Sequence, residues 1–243
     1  VSPTNPYDLS SVDIMDSRLP PGSTNYSGQI FLLGTDGAGR DMLSSIFYGL
    51  RVSLGVGALS GVIALTIGSF FGVSAALFRG KYETIVMRIV DIQLSFPSIL
   101  VALIIIAAFG KGIEKTMIAL ILVQWAYYAR TARASALVEM NKEYIDAARC
   151  LAFGNARIMF KHILPNCLAP LIVVGTLQTA HAISLEATLS FLGLGLPVTE
   201  PSLGLLIGNG FEYMYSGDFW ISIFPGVALL ITVGSINLVG DHL

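Results

Sequence analysis

The run from Val52 to Phe78 contains no charged residue. As a helix it is long enough to cross the hydrocarbon core of a bilayer, which takes about 20 residues. Inside lipid every backbone N–H and C=O must find its partner within the chain, so a helix is the form such a run takes. Four further apolar runs carry the same meaning: Ile92 to Gly110, interrupted at Pro97; Thr116 to Ala129; Asn166 to Leu189; and Phe219 to Gly240, with an internal Pro225. A proline within an apolar span kinks it, and neighbouring helices satisfy the freed carbonyl. Charged residues are 12% of the chain, where soluble domains carry about 25%, and the mean hydropathy is +0.73. These features predict an all-α fold: a polytopic transmembrane helical bundle with five visible spans.

Gly57, Gly61, Gly68 and Gly72 recur at intervals of four and seven along the first span. They form a small-residue stripe of the kind that lets another helix approach closely. Ahead of it, residues 1–40 are polar and rich in Pro, Gly, Ser and Asp, which reads as an extended extramembrane segment. Gly34 to Asp41 lacks the ending of a phosphate loop and the spaced carboxylates of a calcium loop, so it reads as a turn leading into a helix. That helix, Asp41 to Leu50, places Leu43, Ile46, Phe47 and Leu50 on one side and is expected to lie at the membrane surface.

Six of the fourteen basic residues, Arg130, Arg133, Lys142, Arg149, Arg157 and Lys161, lie in one loop, and none follows Lys161. Cytoplasmic loops retain Lys and Arg. The loop 130–165 is therefore expected inside and residues 1–51 outside. Residues 52–240 then form the membrane domain, and 241–243 begin a cytoplasmic tail.

Within the basic loop, Glu143 to Asn166 is the most charged stretch. Ile145, Ala148, Leu151 and Ala152 fall on one helical face, with Glu143, Asp146 and Arg149 beside it. Gly154-Asn155 suits a turn, since both residues tolerate positive φ. Ala156 to Ile163 reads as a second short helix stopped at Pro165. Such a pair of helices suits a docking element for a soluble partner, and equally a solvated loop.

No Ser/His/Asp set, metal-ligand cluster or nucleotide-binding motif is present, so neither a catalytic nor a metal site is expected. Gly110-Lys111-Gly112 lacks the spacing and the Ser/Thr of a Walker motif. The two cysteines, Cys150 and Cys167, read as reduced thiols. Gln178, His181 and Glu186 lie within an apolar span, where polar and ionisable groups face a cavity, a partner or a local hydrogen bond. They are the candidates for contact with a translocated solute.

Asp146-Ala147-Ala148, followed by Leu164-Pro165, resembles the EAA loop of binding-protein-dependent ABC importer permeases. His162 to Asn166, Gly34 to Leu54 and Glu186 to Gly195 resemble the peptide/nickel branch of that family. Two positions depart from the family pattern: Asp146 replaces Glu, and Ala152 stands where Gly is expected, with Gly154 two positions on, which implies a slightly shifted turn. The resemblance implies that Glu143, Tyr144, Asp146, Ala147, Ala148, Ala152, Gly154, Leu164 and Pro165 dock an ATPase. It also implies a sixth, N-terminal span, missing from this sequence, and a structural role for Glu186. The implied partners are a homologous second permease, two ATP-binding subunits that hold the ATP and Mg, an extracytoplasmic substrate-binding protein and membrane lipid. No nucleic acid is expected, and no cofactor in this subunit. Relatives carry dipeptides, oligopeptides, nickel, heme, glutathione or opines. A secondary transporter or channel subunit is the rival reading, and it would need ion-coupling residues in broken helices. A membrane-embedded enzyme is a further rival and would need a nucleophile–base or metal cluster at bilayer depth.

Overall fold

A computed structural model describes residues 13–26, 28–197 and 200–242. The first twelve residues of the expected extracytoplasmic segment lie outside the described residues. The longer helices are α1 (Met42–Phe78), α2 (Gly80–Leu94), α3 (Ser98–Phe109), α4 (Ile113–Glu139), α8 (Leu168–Phe191) and α10 (Trp220–Asp241). Between α4 and α8 lie α5 (Glu143–Cys150), α6 (Asn155–Arg157), a π-helical turn (Ile158–Ile163) and α7 (Leu164–Asn166); α9 (Leu203–Phe211) follows α8.

Among the described residues, α1, α8 and α10 are individually long and apolar enough to cross a membrane, and α2 with α3 makes a fourth if that bent pair is one span. The expected surface helix 41–50 is not separate. It forms the first turns of α1, which runs 37 residues unbroken, about 55 Å at ~1.5 Å per residue. The stretch 92–110 is more than a kinked span, because α2 and α3 meet at 93°. Pro97 precedes the first turn of α3, where its missing N–H is not needed, and the charged segment from Gly80 is itself helical.

The chain divides into two compact units. The first holds residues up to Gly57, Ile105–Met117 and Ile183–Ser235. Here β1 (Ser23–Thr24) pairs antiparallel with β2 (Ile30–Phe31), a departure from an all-helical plan. Asp41 Oδ2 accepts from the Ser44 N–H at 2.9 Å and so caps the start of α1. Met42, Trp220 and Ile221 form a buried cluster with Leu33, Tyr213 and Phe224 around them. The Trp220 indole donates to the Thr35 carbonyl at 3.3 Å, which ties the extramembrane segment to α10. A Cβ at Gly57 would stand 2.5 Å from the Ile183 side chain, so α1 and α8 approach closely there.

The second unit holds Ala58–Ile104, Ile118–Ala182 and the chain from Ile236. A Cβ at Gly61 would lie 3.2 Å from Thr179 Oγ1, while at Gly68 and Gly72 it would meet the Trp125 and Ala129 carbonyls at 2.4 and 2.3 Å. These glycines therefore bring α1 onto α8 and α4 of the same chain, backbone to backbone. The bend before α3 is pinned to α4 through Gln93. Its amide nitrogen donates to the Leu122 and Val123 carbonyls, and its oxygen accepts from the Trp125 indole at 2.8 Å. Arg133 grips Glu83 through Nε at 2.7 Å, and Arg130 meets Asp91 at 2.6 Å, so α2 and α4 are joined by charge as well.

Candidate functional site

The 139–166 segment is held from below by apolar packing. Ile145 and Ala148 of α5 are buried together with Ile158, Met159 and Ile163 of the π turn, and Met140, Cys167 and Leu171 complete the cluster. The spacing Ile145/Ala148 puts one edge of α5 inward and leaves Glu143, Asp146 and Ala147 exposed. Of the two candidate alanines, Ala147 is thus on the outer face and Ala148 on the inner. Leu151 and Phe160 are large apolar side chains left exposed, at 68% and 53%.

The chain reverses at Ala152, not at Gly154. Ala152 has φ of +55°, whereas Gly154 is extended at φ −65°, ψ 151° and precedes α6. The Phe153 N–H bonds to the Ala148 carbonyl at 3.1 Å and the Ala152 N–H to the Arg149 carbonyl at 2.9 Å. That pair of bonds is a Schellman closure, with Ala152 at the left-handed position where glycine is favoured. The expected shift of the turn to Gly154 is therefore corrected: the turn keeps the position at which the family places its Gly. Pro165 likewise does not stop the second helix. It sits in the first turn of α7, where its lack of an N–H leaves no bond unmade.

A polar brace fixes the outer side. Glu139, at the end of α4, accepts from Lys142 Nζ at 2.7 Å and from the Tyr144 hydroxyl at 2.6 Å. The Asn166 amide donates to the Tyr144 oxygen at 3.2 Å and to the His162 carbonyl at 2.6 Å. One tyrosine thus links the start of α5 to the end of α7. Hydrogen bonds from Lys142 and then Tyr144 hold the Glu139 carboxyl below the usual carboxylate range. Burial, then the bond to Glu139, pushes Tyr144 up to about 12. Behind them the Arg157 guanidinium lies 3.9 Å over the Phe153 ring, which stacks on His162 with an interplanar angle of 17°. Sequence reading missed Glu139, Lys142, Asn166 and this stack. The three-residue spacing Glu139/Lys142 was the available signal.

The span candidates separate. Glu186 is fully buried, with Ser190 Oγ donating to Oε1 at 2.7 Å and Ser53 Oγ to Oε2 at 2.9 Å. The same Ser53 oxygen accepts the Leu203 N–H at 3.2 Å, and Ser190 accepts the Leu196 N–H at 3.3 Å. Glu186 therefore fastens α1, α8 and the start of α9 to one another. His181 is exposed, its ring 6.5 Å from that of Tyr127. Gln178 is half-buried, and its carbonyl oxygen has no partner among the described residues. Among those residues no His/Cys/Asp/Glu group could hold a metal.

A helical fold of this kind is shared with known proteins. Residues 64–243 match the family model described as the binding-protein-dependent transport system inner membrane component. The dipeptide transport system permease protein DppC of Escherichia coli K12 is 41% identical over 244 residues, 100% of this chain and 80% of that protein. The di/tripeptide permease DppC of Pseudomonas aeruginosa is 41% identical over 98% of this chain and 78% of its own length. A putative peptide transport permease of Brucella suis is 42% identical over 92% and 73%. An inward-facing structure of the MetNI methionine ABC transporter superposes with a TM-score of 0.66 at 24% identity, over 83% of this chain and 95% of that one. The chain belongs to the binding-protein-dependent transport system inner membrane components, the membrane-embedded permease subunits of ABC importers. ATPase and binding-protein partners follow from that membership.

Proposed function

We propose that this permease forms the path for a peptide, delivered by an extracytoplasmic binding protein, and that residues 143–165 couple it to two ATP-binding subunits. The observation that carries the coupling role is the exposed face of α5. Ala147, small and outward, lies beside Asp146 on a helix fixed below by Ile145 and Ala148 and beside it by the Glu139–Tyr144–Asn166 brace. A helix held this way moves as a unit when a partner pushes it. ATP and Mg belong to the partner subunits, and this chain hydrolyses nothing itself. The cluster of basic residues places the loop in the cytoplasm and residues 1–51 outside. The peptide assignment rests on relatives more than 40% identical that are named for peptide transport. A homologous second permease completes the path.

Ala147→Arg adds bulk and charge to a packed contact and is expected to weaken ATPase retention by about 2–4 kcal/mol, the range of an interface hot spot. The variant still inserts, because its side chain is in water either way. Full ATPase retention and uptake by Ala147→Arg would sink the coupling role. Mass analysis of ligand bound to the cognate binding protein tests the peptide assignment, and a non-peptide ligand overturns it.

A further inference from the structure

Beside the outer face of α5 lies a polar cavity of about 340 Å³, lined by Leu77, Arg79, Met140, Asn141, Asp146 and Arg149. Two arginines and one asparagine line it, against a single aspartate. Asp146 reaches Arg149 at 3.5 Å, but no acceptor for the Arg79 guanidinium lies among the described residues. The cavity therefore carries an uncompensated positive charge. Arg79 is also held in an unusual backbone conformation, φ +49°, ψ −166°, at the junction between α1 and α2. An L-residue there is strained by roughly 1–3 kcal/mol, and such strain persists where the surroundings impose it. Gly80 follows, also at positive φ, so the sharp reversal is made by two residues of which only one is glycine.

We propose that Arg79 and Arg149 form an anion socket that receives a carboxylate side chain of the ATPase subunit, a second attachment point next to α5. It rests on the coupling role assigned above to α5. Asp146, the acidic residue of the docking face, lines the same cavity, so a partner seated on that face brings its own side chains to the cavity mouth. An arginine fork is suited to a carboxylate, which it binds through two parallel N–H···O bonds. The cavity is polar and, at about 340 Å³, has room for a side-chain carboxylate. The competing occupant is an anionic lipid headgroup, since Leu77 also borders an apolar groove of about 600 Å³ with Phe70, Phe78, Tyr82, Met159 and Phe160. The position of Asp146 in the wall favours the protein partner, because it makes the cavity continuous with the exposed face of α5, where a docked subunit already stands.

Arg79→Gly separates charge from structure. It deletes the guanidinium at a backbone position that glycine adopts without strain, so the fold is kept or gains stability. The measurement is retention of the cognate ATPase subunits on the purified permease pair as salt is raised. It is made in nanodiscs of phosphatidylcholine alone and with phosphatidylglycerol added. Arg79→Gly and Arg149→Gln should each weaken retention roughly tenfold in both lipids and flatten the salt dependence, while Arg79→Lys should recover part of the loss. Wild-type retention by Arg79→Gly together with loss in Ala147→Arg overturns the socket and leaves the coupling role standing. Wild-type retention by both variants removes the coupling role and the socket with it. An effect of Arg79→Gly confined to discs containing phosphatidylglycerol assigns the cavity to lipid and overturns the proposal.

Discussion

Two carboxyl groups anchor two polar centres, and they are built on opposite plans. Glu186 is fully buried and is satisfied by hydroxyls, each of which also accepts a backbone N–H, from Leu203 or Leu196. Glu139, itself 8% exposed, closes a brace whose other members reach water: Lys142, whose side chain is 52% exposed, and Tyr144, 37% exposed. In the first, removing the carboxyl strands groups that no water can reach. In the second, water reaches Lys142 and Tyr144 and replaces part of what is lost. The price of deletion therefore depends on burial more than on the number of bonds.

The largest effect is expected at the buried centre. Glu186→Ala leaves Ser53 and Ser190 without their acceptor and opens a cavity, so it should destabilise by about 3 kcal/mol or more. Glu186→Gln, which keeps one acceptor, should lose roughly half as much. Thermal unfolding in detergent reads both. An Ala variant with unchanged melting and impaired uptake would break the comparison and return Glu186 to the translocation path.

Next in size is a backbone contact in the unit that holds the brace. Gly68→Ala puts its Cβ 2.4 Å from the Trp125 carbonyl and 2.6 Å from Tyr128 Cβ, so α1 and α4 must separate. Overpacking of this kind costs about 1–3 kcal/mol. It should exceed the loss from Tyr144→Phe; the reverse order would mean that the polar brace, and not helix packing, holds that unit.

Tyr144→Phe should cost about 1 kcal/mol, the net worth of one hydrogen bond, and it gives the brace a pH signature. Burial and the bond to Glu139 push Tyr144 up to about 12 in the fold, from an ordinary 10.0. Its contribution is therefore complete below pH 10 and is lost as pH rises through 12. Glu139 has its carboxyl held below the ordinary 4.5 by its bonds from Lys142 and Tyr144, so its contribution is present above that value and fades as pH falls through the lower folded one. Wild-type stability should show both limbs, and Tyr144→Phe only the acid one, with tyrosinate absorbance marking the alkaline step. An unchanged alkaline limb in Tyr144→Phe would assign that limb to another group.

The helical plan was legible because long uncharged runs admit no other backbone form in lipid. Helix α5 was legible because Ile145 and Ala148 keep helical spacing amid charges. Three features were not. The 93° bend at Pro97 depends on Gln93 meeting α4 some thirty residues on, a pairing that local sequence does not encode. The unbroken α1 hides behind Asp41-Met42, where a cap and a surface helix look alike. The site of the turn after α5 was misplaced because residue type was weighed above bond pattern: Gly154 has the freedom, but Ala152 occupies the position that needs it.

That misplacement supplies the smallest and most discriminating prediction. An alanine in the left-handed region costs roughly 1–2 kcal/mol relative to its usual conformation; glycine removes that strain, but its greater unfolded-state freedom cancels part of the gain. Ala152→Gly should therefore stabilise by about 0.5–1 kcal/mol. Its side chain is exposed, so no buried contact is lost. Gly154 is the control, since its φ of −65° suits any residue and a Cβ there meets nothing within 4 Å. Gly154→Ala should be neutral or stabilising by up to about 1 kcal/mol, through restriction of the unfolded chain alone. Thermal unfolding and hydrogen exchange at the Phe153 amide, which closes the turn onto Ala148, measure both variants. If Ala152→Gly speeds exchange at Phe153 or Gly154→Ala proves strongly destabilising, the left-handed residue is at 154, the loop's geometry is shifted by two residues, and Ala147 no longer occupies the outer face on which the docking role depends.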